Sequence, residues 1–222
     1  MRDRHPASRP WPRVDAVCVA TCVPTRHSSA GVTAIDKRPV DGPVLAGTLG
    51  LAGDEQGDTE HHGGVDQALY VYAGQDADFW AGELGHDVPA GSFGENLRVS
   101  HLEVSGARIG EIWRIGACTA QVTAPRIPCR TFAAFWDVPD LVRRFLDVGR
   151  PGAYLRVLVP GPIQAGDLIE VVERPDTDVS VGDVARIRTR DLGEAHRLHG
   201  LPGLAGRVAA WADQRVGQPS TG

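Results

Sequence analysis

Residues 111–129 read EIWRIGACTAQVTAPRIPC and contain two β-strand patterns followed by a cysteine-bearing loop. Residues 111–115 and 117–123 are short runs rich in apolar and β-branched side chains, separated by Gly116, as is typical of strands joined by a turn. The same sequence pattern recurs along the chain. It predicts further strands at residues 14–21, 32–35, 68–72, 95–99, 153–159 and 167–173, with residues 160–162 and 165–167 in the bend that joins the last two.

Helical patterns are fewer and differ between the two parts of the chain. Apolar residues at helical spacing predict helices at 75–84 and 139–147, and after Pro175 at 181–190, 191–199 and 202–216, with Pro202 in a first turn. Many strands with few helices favour a closed or strongly curved sheet. We therefore predict a mainly β fold: a flexible tail over 1–13, a β-barrel domain with peripheral helices over 14–175, and a small helical module over 176–222 that docks on the barrel.

Composition and charge narrow the range of partners. The chain has 222 residues, 42% of them hydrophobic, and a formal net charge of −5, which gives no general attraction to nucleic acid or anionic membrane. No apolar run reaches the roughly 18 residues of a membrane span. Residues 1–13 are polar and rich in proline, unlike a signal peptide. We predict a cytoplasmic protein with no nucleic-acid and no membrane partner.

Cys129 ends the stretch Pro125-Arg126-Ile127-Pro128-Cys129 and is the main candidate for chemistry. The two prolines stiffen the backbone that leads to the sulfur. Nearby arginines favour thiolate, which is both a nucleophile and a ligand for soft metals. The plain alternative is a buried thiol in a loop. Core positions are predicted for the other three cysteines, Cys18, Cys22 and Cys118, and for the aromatic residues Trp80, Phe132, Phe135 and Trp136.

Lys37 is the only lysine among the 23 basic residues, and it could bind an anion as a compact point charge or be a chance surface residue. Two glycine-containing segments, at 60–68 and 91–97, could bring backbone amides close to a ligand. In the second, Asn96 offers a donor and an acceptor, while Glu95 could instead pair with an arginine and hold a loop. The acidic residues between 54 and 66 favour a solvated face.

In order along the chain, these segments resemble the MOSC family, named after the C-terminus of molybdenum cofactor sulfurase. The matching pieces are residues 36–40 (DKRPV), 53–54 (GD), 61–68 (HHGGVDQA), 94–97 (GENL), 125–129 (PRIPC), 152–154 (GAY) and 165–167 (AGD). The resemblance spans roughly residues 14–175. The helical tail is similar to the three-helix extension of small stand-alone bacterial members.

The resemblance implies a molybdenum-cofactor enzyme. Cys129 would ligate molybdenum, Lys37 and Arg126 would bind the pterin phosphate, and His62, Gly63 and Asn96 would hold the pterin or the substrate. The implied reaction is reduction of N-hydroxylated compounds such as 6-hydroxylaminopurine, with electrons from a separate flavin or iron–sulfur reductase. Pyridoxal phosphate belongs to a different domain of the full-length sulfurase and is not expected here.

Two other functions remain open from the sequence. Cys129 could hold a persulfide in a non-catalytic carrier that delivers sulfur or cofactor to other enzymes. It could also serve a metal-free cysteine enzyme, with His61 or His62 as the base.

Overall fold

A computed structural model describes residues 10–57 and 63–217, and a mainly β fold with peripheral helices is confirmed. The strands are β1 (Arg13–Val19), β2 (Val23–Pro24), β3 (Val32–Thr33), β4 (Arg38–Pro39), β5 (Val44–Gly47), β6 (Gly50–Leu51), β7 (Leu69–Ala73), β8 (Leu97–Ser100), β9 (Ile112–Ile115), β10 (Cys118–Pro125), β11 (Ala153–Val159), β12 (Gly161–Ile163) and β13 (Ile169–Glu173).

Eight of these strands form one sheet in the order β13-β9-β10-β11-β7-β8-β1-β4. Strands β7 and β8 run parallel, and the other neighbours are antiparallel. The start of β13 also meets the start of β1 through a bridge between Arg13 and Leu168 and a bond from the Ile169 amide to the Pro12 carbonyl (2.8 Å). The sheet is therefore strongly curved, and its sides meet through this short contact and not through a continuous ladder.

The helices are α1 (Gly74–Leu84), α2 (Arg130–Phe135), α3 (Leu141–Val148), α4 (Val181–Thr189) and α5 (Gly206–Val216), with 3-10 turns at Val65–Gln67 and Leu192–Leu198. The prediction of Pro202 in a first helical turn is wrong, because α5 begins at Gly206. The sequence also gave no signal for α2, since its single turn and a half is too short to show a period. Residues 160–162, predicted as a bend, contribute to β12, which pairs with β5.

Two apolar clusters hold the structure together. The larger fills the inside of the curved sheet and includes side chains of α4 and α5, so the C-terminal helices dock on the sheet as predicted. The Ala205 amide donates to the Thr123 carbonyl at 3.0 Å and fixes this contact. The smaller cluster is aromatic and lies under α1, α2 and α3; its buried rings are Tyr70, Tyr72, Trp80, Phe93, Phe132 and Phe145.

Two side chains predicted as core residues lie elsewhere: Phe135 is exposed, and Cys22 lies beyond the end of β1, where its amide donates to Glu55 at 2.6 Å. Trp136 is half-buried and packs against the aromatic cluster. Cys18 and Cys118 are buried as predicted, and burial raises their pKa to about 12 and about 11. In the described parts of the chain, no helix has the length and apolar character needed to cross a membrane.

Candidate functional site

One end of the curved sheet gathers most of the residues that the sequence singles out. Asn96 immediately precedes β8, and its amide donates to the carbonyl of Tyr70 at the start of β7 (2.8 Å). Tyr70 is opposite Tyr154 at the start of β11, and the end of β10 lies beside that residue. Arg126 follows β10 directly. Asn96, Tyr70, Tyr154 and Ala124 therefore lie in one row across four neighbouring strands, and Arg126 follows two positions after Ala124.

Lys37 belongs to the same end, since it precedes β4, which pairs with the end of β1. It is buried, so the surface alternative is wrong. Its Nζ donates to Oδ1 of Asp54, which also accepts from the Ala20 amide at 2.9 Å. Asp54 is itself buried, with a side chain 2% exposed, and is not part of a solvated acidic face. Its pairing with the ammonium compensates the charge of both groups.

Asn96 completes this network with both ends of its side-chain amide. Its Nδ2 donates to Oδ2 of Asp54 at 2.8 Å and lies 3.4 Å from the Cys18 carbonyl, while its Oδ1 accepts from the Tyr70 amide at 3.1 Å. The side chain therefore ties β1, β7 and Asp54 together. This role in holding the site was not visible in the sequence, which offered only a donor and an acceptor.

A loop clamp, defined as Glu95 with its partners in residues 88–98, supports Lys37 from the other side. Glu95 accepts from the amides of Gly91 (2.9 Å) and Phe93 (3.0 Å) and from Nε of Arg98 (2.9 Å), which confirms that it pairs with an arginine and holds a loop. Gly91 has φ +89°, and its carbonyl accepts from the Lys37 amide. A side chain at position 91 would overlap the Lys37 carbonyl, so a glycine is required.

Arg126 is a buried guanidinium whose charge the described residues compensate incompletely. Only 5% of the residue is exposed, and its Cζ lies 4.4 Å from the centre of the Phe132 ring. Among the described residues, its Nη1 has no hydrogen-bond partner and no carboxylate forms an ion pair with it. A cation–π contact is worth only about 0.5–2 kcal/mol, less than the cost of burying an unpaired charge. An anionic ligand would complete this group.

Cys129 lies three residues after Arg126, at the start of α2. Its backbone is extended, with φ −125° and ψ 175°, and its carbonyl accepts from the Phe132 amide at 3.1 Å. The half-buried side chain packs against the aromatic cluster. Burial raises the pKa of the nearby Tyr154 hydroxyl; the Arg126 charge opposes this rise and the Cys129 charge adds to it, so thiol, guanidinium and phenol share one environment.

Gly63 and His62 were also predicted to hold the pterin or the substrate. The structure describes Gly63, whereas His62 and the alternative base His61 lie outside the described residues. Gly63 has φ +83°, and its amide donates to the Gln67 side chain at 3.0 Å. The turn leads into β7 through the 3-10 helix and so approaches the same end of the sheet.

The residues present fit an anionic cofactor that brings its own metal ligands. In residues 10–57 and 63–217, no group of three or more His, Cys, Asp or Glu side chains could hold a metal ion. A dithiolene-bound pterin is a molecule of this kind, since it carries its own sulfur ligands to the metal and an anionic group. The Nη1 of Arg126, which has no partner among the described residues, is a donor that such an anionic group would satisfy.

Comparison with known proteins supports the family resemblance. A family model described as MOSC domain matches residues 58–170. "Protein YiiM" of Escherichia coli (strain K12) is 34% identical over 182 residues, which cover 81% of each chain. A protein named "Reductase" from Gibberella moniliformis is 33% identical over 165 residues, 72% of this chain but 29% of that longer protein.

The fold agrees with solved structures. The crystal structure of YiiM from Geobacillus stearothermophilus superposes with a TM-score of 0.78 at 25% identity, covering 92% of this chain and 99% of that one. The matched family model, the identity to the Escherichia coli protein and the shared fold agree with the ordered motifs. The chain belongs to the MOSC domain family.

Proposed function

We propose that this protein is a molybdenum-cofactor-dependent reductase of N-hydroxylated compounds, with Cys129 as the protein ligand to molybdenum. The observation that carries the proposal is the buried Arg126 guanidinium, incompletely partnered by the described residues and three positions from a half-buried cysteine. Family membership supports a function related to the molybdenum cofactor. The name of the fungal relative supports reduction.

The residues would divide the binding of the cofactor between them. The Cys129 thiolate would ligate the metal, and Arg126 would contact the phosphate. Lys37 would contact it through an ammonium hydrogen that its bond to Asp54 leaves over. His62 and the backbone at Gly63 are proposed to hold the pterin or the substrate. Asn96 would act chiefly by fixing Asp54 and the start of β7, since its amide is engaged at both ends. The cofactor, when bound, supplies the two-electron redox chemistry.

The proposed substrates are small N-hydroxylated molecules such as 6-hydroxylaminopurine. Their reduction breaks the N–O bond: the hydroxylamine takes up two electrons and two protons and yields the amine and water. The electrons are proposed to come from a separate flavin or iron–sulfur reductase. The protein's own contribution is to bind and orient the substrate and to stabilise charge on the departing oxygen.

Lys37 is proposed as an anion binder and not as a Schiff-base lysine. Its Nζ faces the buried Asp54 carboxylate, a partner suited to an ammonium. A Schiff-base lysine must instead present a neutral amine to a carbonyl. Pyridoxal phosphate is accordingly not part of the proposal.

The test is metal and pterin analysis of three proteins purified from a host that makes the cofactor: wild type, Cys129→Ala and Cys22→Ala. Cys22 is a matched control because it is also a partly accessible thiol but lies in a different loop. We expect near-stoichiometric molybdenum and pterin in wild type and Cys22→Ala, and at least tenfold less molybdenum in Cys129→Ala.

Activity is then measured on the same samples. With an artificial electron donor, wild type should convert 6-hydroxylaminopurine to adenine and Cys129→Ala should not. A wild type with neither molybdenum nor pterin would contradict the proposal. Persulfide sulfur on Cys129 in that sample would favour the carrier function instead.

A further inference from the structure

The chain has three tyrosines, and the structure treats one hydroxyl differently from the other two. The Tyr70 hydroxyl donates to the Pro151 carbonyl at 2.9 Å, and the Tyr72 hydroxyl donates to the Arg150 carbonyl at 3.2 Å. Among residues 10–57 and 63–217, the Tyr154 hydroxyl forms no such bond, although its ring packs against both apolar clusters. Its hydroxyl is therefore available to a ligand.

The position of Tyr154 places it within the candidate site. In the ladder it lies opposite Ala124, two residues before Arg126, and on its other side opposite Tyr70, with the ring centres 5.3 Å apart. The side chain is half-buried, and it packs against the aromatic cluster that Cys129 also contacts. Tyr154 thus adjoins both groups on which the proposed function depends.

The hydroxyl also keeps its proton under working conditions. The ordinary pKa of a tyrosine hydroxyl is about 10, well above neutral pH. A protonated phenol at neutral pH is a hydrogen-bond donor. A substrate oxygen is an acceptor that such a donor can recognise.

We propose that the Tyr154 hydroxyl donates a hydrogen bond to the oxygen of the substrate's N–O group and so distinguishes an N-hydroxylated base from the corresponding amine. This inference rests on the proposed function. As the N–O bond breaks, the two electrons supplied by the separate reductase leave negative charge on the departing oxygen. One proton then completes water and a second completes the amine. A donor held at that oxygen stabilises the charge as it develops.

The experiment compares the binding of 6-hydroxylaminopurine and adenine to the oxidised holoenzyme without reductant, by calorimetry. The proteins are wild type, Tyr154→Phe and, as a matched control, Tyr72→Phe, whose hydroxyl is bonded to the backbone. We expect wild type and Tyr72→Phe to prefer the hydroxylamino compound by about 5- to 10-fold, as one hydrogen bond allows. Tyr154→Phe should bind both compounds about equally.

Further readouts separate this role from a structural one. Tyr154→Phe should keep the wild-type molybdenum content and denaturation midpoint, because its hydroxyl has no described protein partner. Its kcat/KM for the hydroxylamino compound should fall about 10- to 100-fold. Tyr72→Phe should lower the midpoint, because the substitution leaves the Arg150 carbonyl without its donor.

Each outcome decides the inference. If Tyr154→Phe keeps both the preference and kcat/KM while wild type reduces the substrate, the inference is overturned and the proposed function stands. If wild type contains molybdenum but binds both compounds equally, the inference is likewise overturned. If wild type contains no molybdenum and binds neither compound, both proposals fail together.

Discussion

The loop clamp buries Arg98 against the aromatic cluster, and the loop at residues 126–129 buries Arg126 there. Among the described residues, only Arg98 has a carboxylate partner. Arg98 is 8% exposed and donates to Glu95 and to the carbonyls of Val88 (3.3 Å) and Pro89 (3.2 Å). Arg126 is 5% exposed and has its ring contact with Phe132.

This difference distinguishes a structural cation, Arg98, from Arg126, which we propose is held ready for a ligand. A buried charge is stable when geometry and hydrogen bonds satisfy it, as at Arg98. At Arg126 the remaining stabilisation would come from an anion that binds after folding. Substitution by methionine should therefore lower mainly the stability at Arg98. At Arg126 the same substitution should lower mainly the cofactor content.

The largest effect on stability is expected from Arg98→Met. This change leaves the Glu95 carboxylate buried without its cation and loosens the loop that supports Lys37. We expect a loss of about 3–5 kcal/mol in the free energy of unfolding, measured by urea denaturation. Arg114→Met, which breaks the exposed pair with Glu170, is the control and should cost under about 1 kcal/mol. Similar losses in the two variants would refute the structural role of the clamp.

Gly91→Ala should come next. The added methyl group meets the Lys37 carbonyl in a backbone conformation, φ +89°, that favours glycine. Strain and overlap together predict a loss of about 2–4 kcal/mol by thermal or urea unfolding. Gly85→Ala is the matched control: φ is +75°, but no neighbouring atom lies in the way, so about 1 kcal/mol is expected. Equal losses would show that the contact with Lys37 is unimportant.

Asp76 tests a buried carboxylate that is only partly satisfied. Burial, with a contribution from Glu103, raises its pKa to about 6, against the opposing effect of Arg150. The folded protein therefore binds more protons than the unfolded chain between about pH 4 and 6, and stability falls as pH rises through this window. Asp76→Asn should raise the free energy of unfolding at pH 7 by about 1–3 kcal/mol and have little effect at pH 4. A pH-independent difference would contradict this account.

Arg126→Met should have the smallest effect on stability and the largest on ligand content. In protein made without the cofactor, the free energy of unfolding should change by less than about 1 kcal/mol or increase, because a poorly paired buried charge is removed. In protein from a cofactor-producing host, pterin content should fall at least tenfold. Arg143→Met on α3, an exposed arginine paired with Asp140, should keep the pterin. A destabilisation as large as that of Arg98→Met would show that Arg126 is structural.

The sequence predicted the strands with regular alternation well. Residues 153–159 coincide with β11, and the predicted helix at 75–84 lies within α1. It missed strands of two to four residues such as β4 and β5, which are too short to show a period and form because a partner strand is present. The division of the chain at residue 175 stays a prediction.

Within the site, local chemistry pointed to Cys129, Arg126 and Lys37, because a single lysine, and a cysteine preceded by two prolines and flanked by arginines, can be recognised in the sequence alone. Asp54 was assigned to a solvated face, because nothing in its neighbourhood shows the partner 17 positions earlier. Tyr154 was noted only within a motif. Its distinction from Tyr70 and Tyr72 depends on hydrogen bonds to residues about 80 positions away in sequence.

The sequence by itself therefore determined the class of fold and the residue types able to hold a metal and an anion, since composition and periodicity are local properties, and its ordered motifs determined the family. Only the tertiary structure decided which charges are satisfied. That depends on which strand ends meet, and the order of strands in the sheet is set by packing between distant segments.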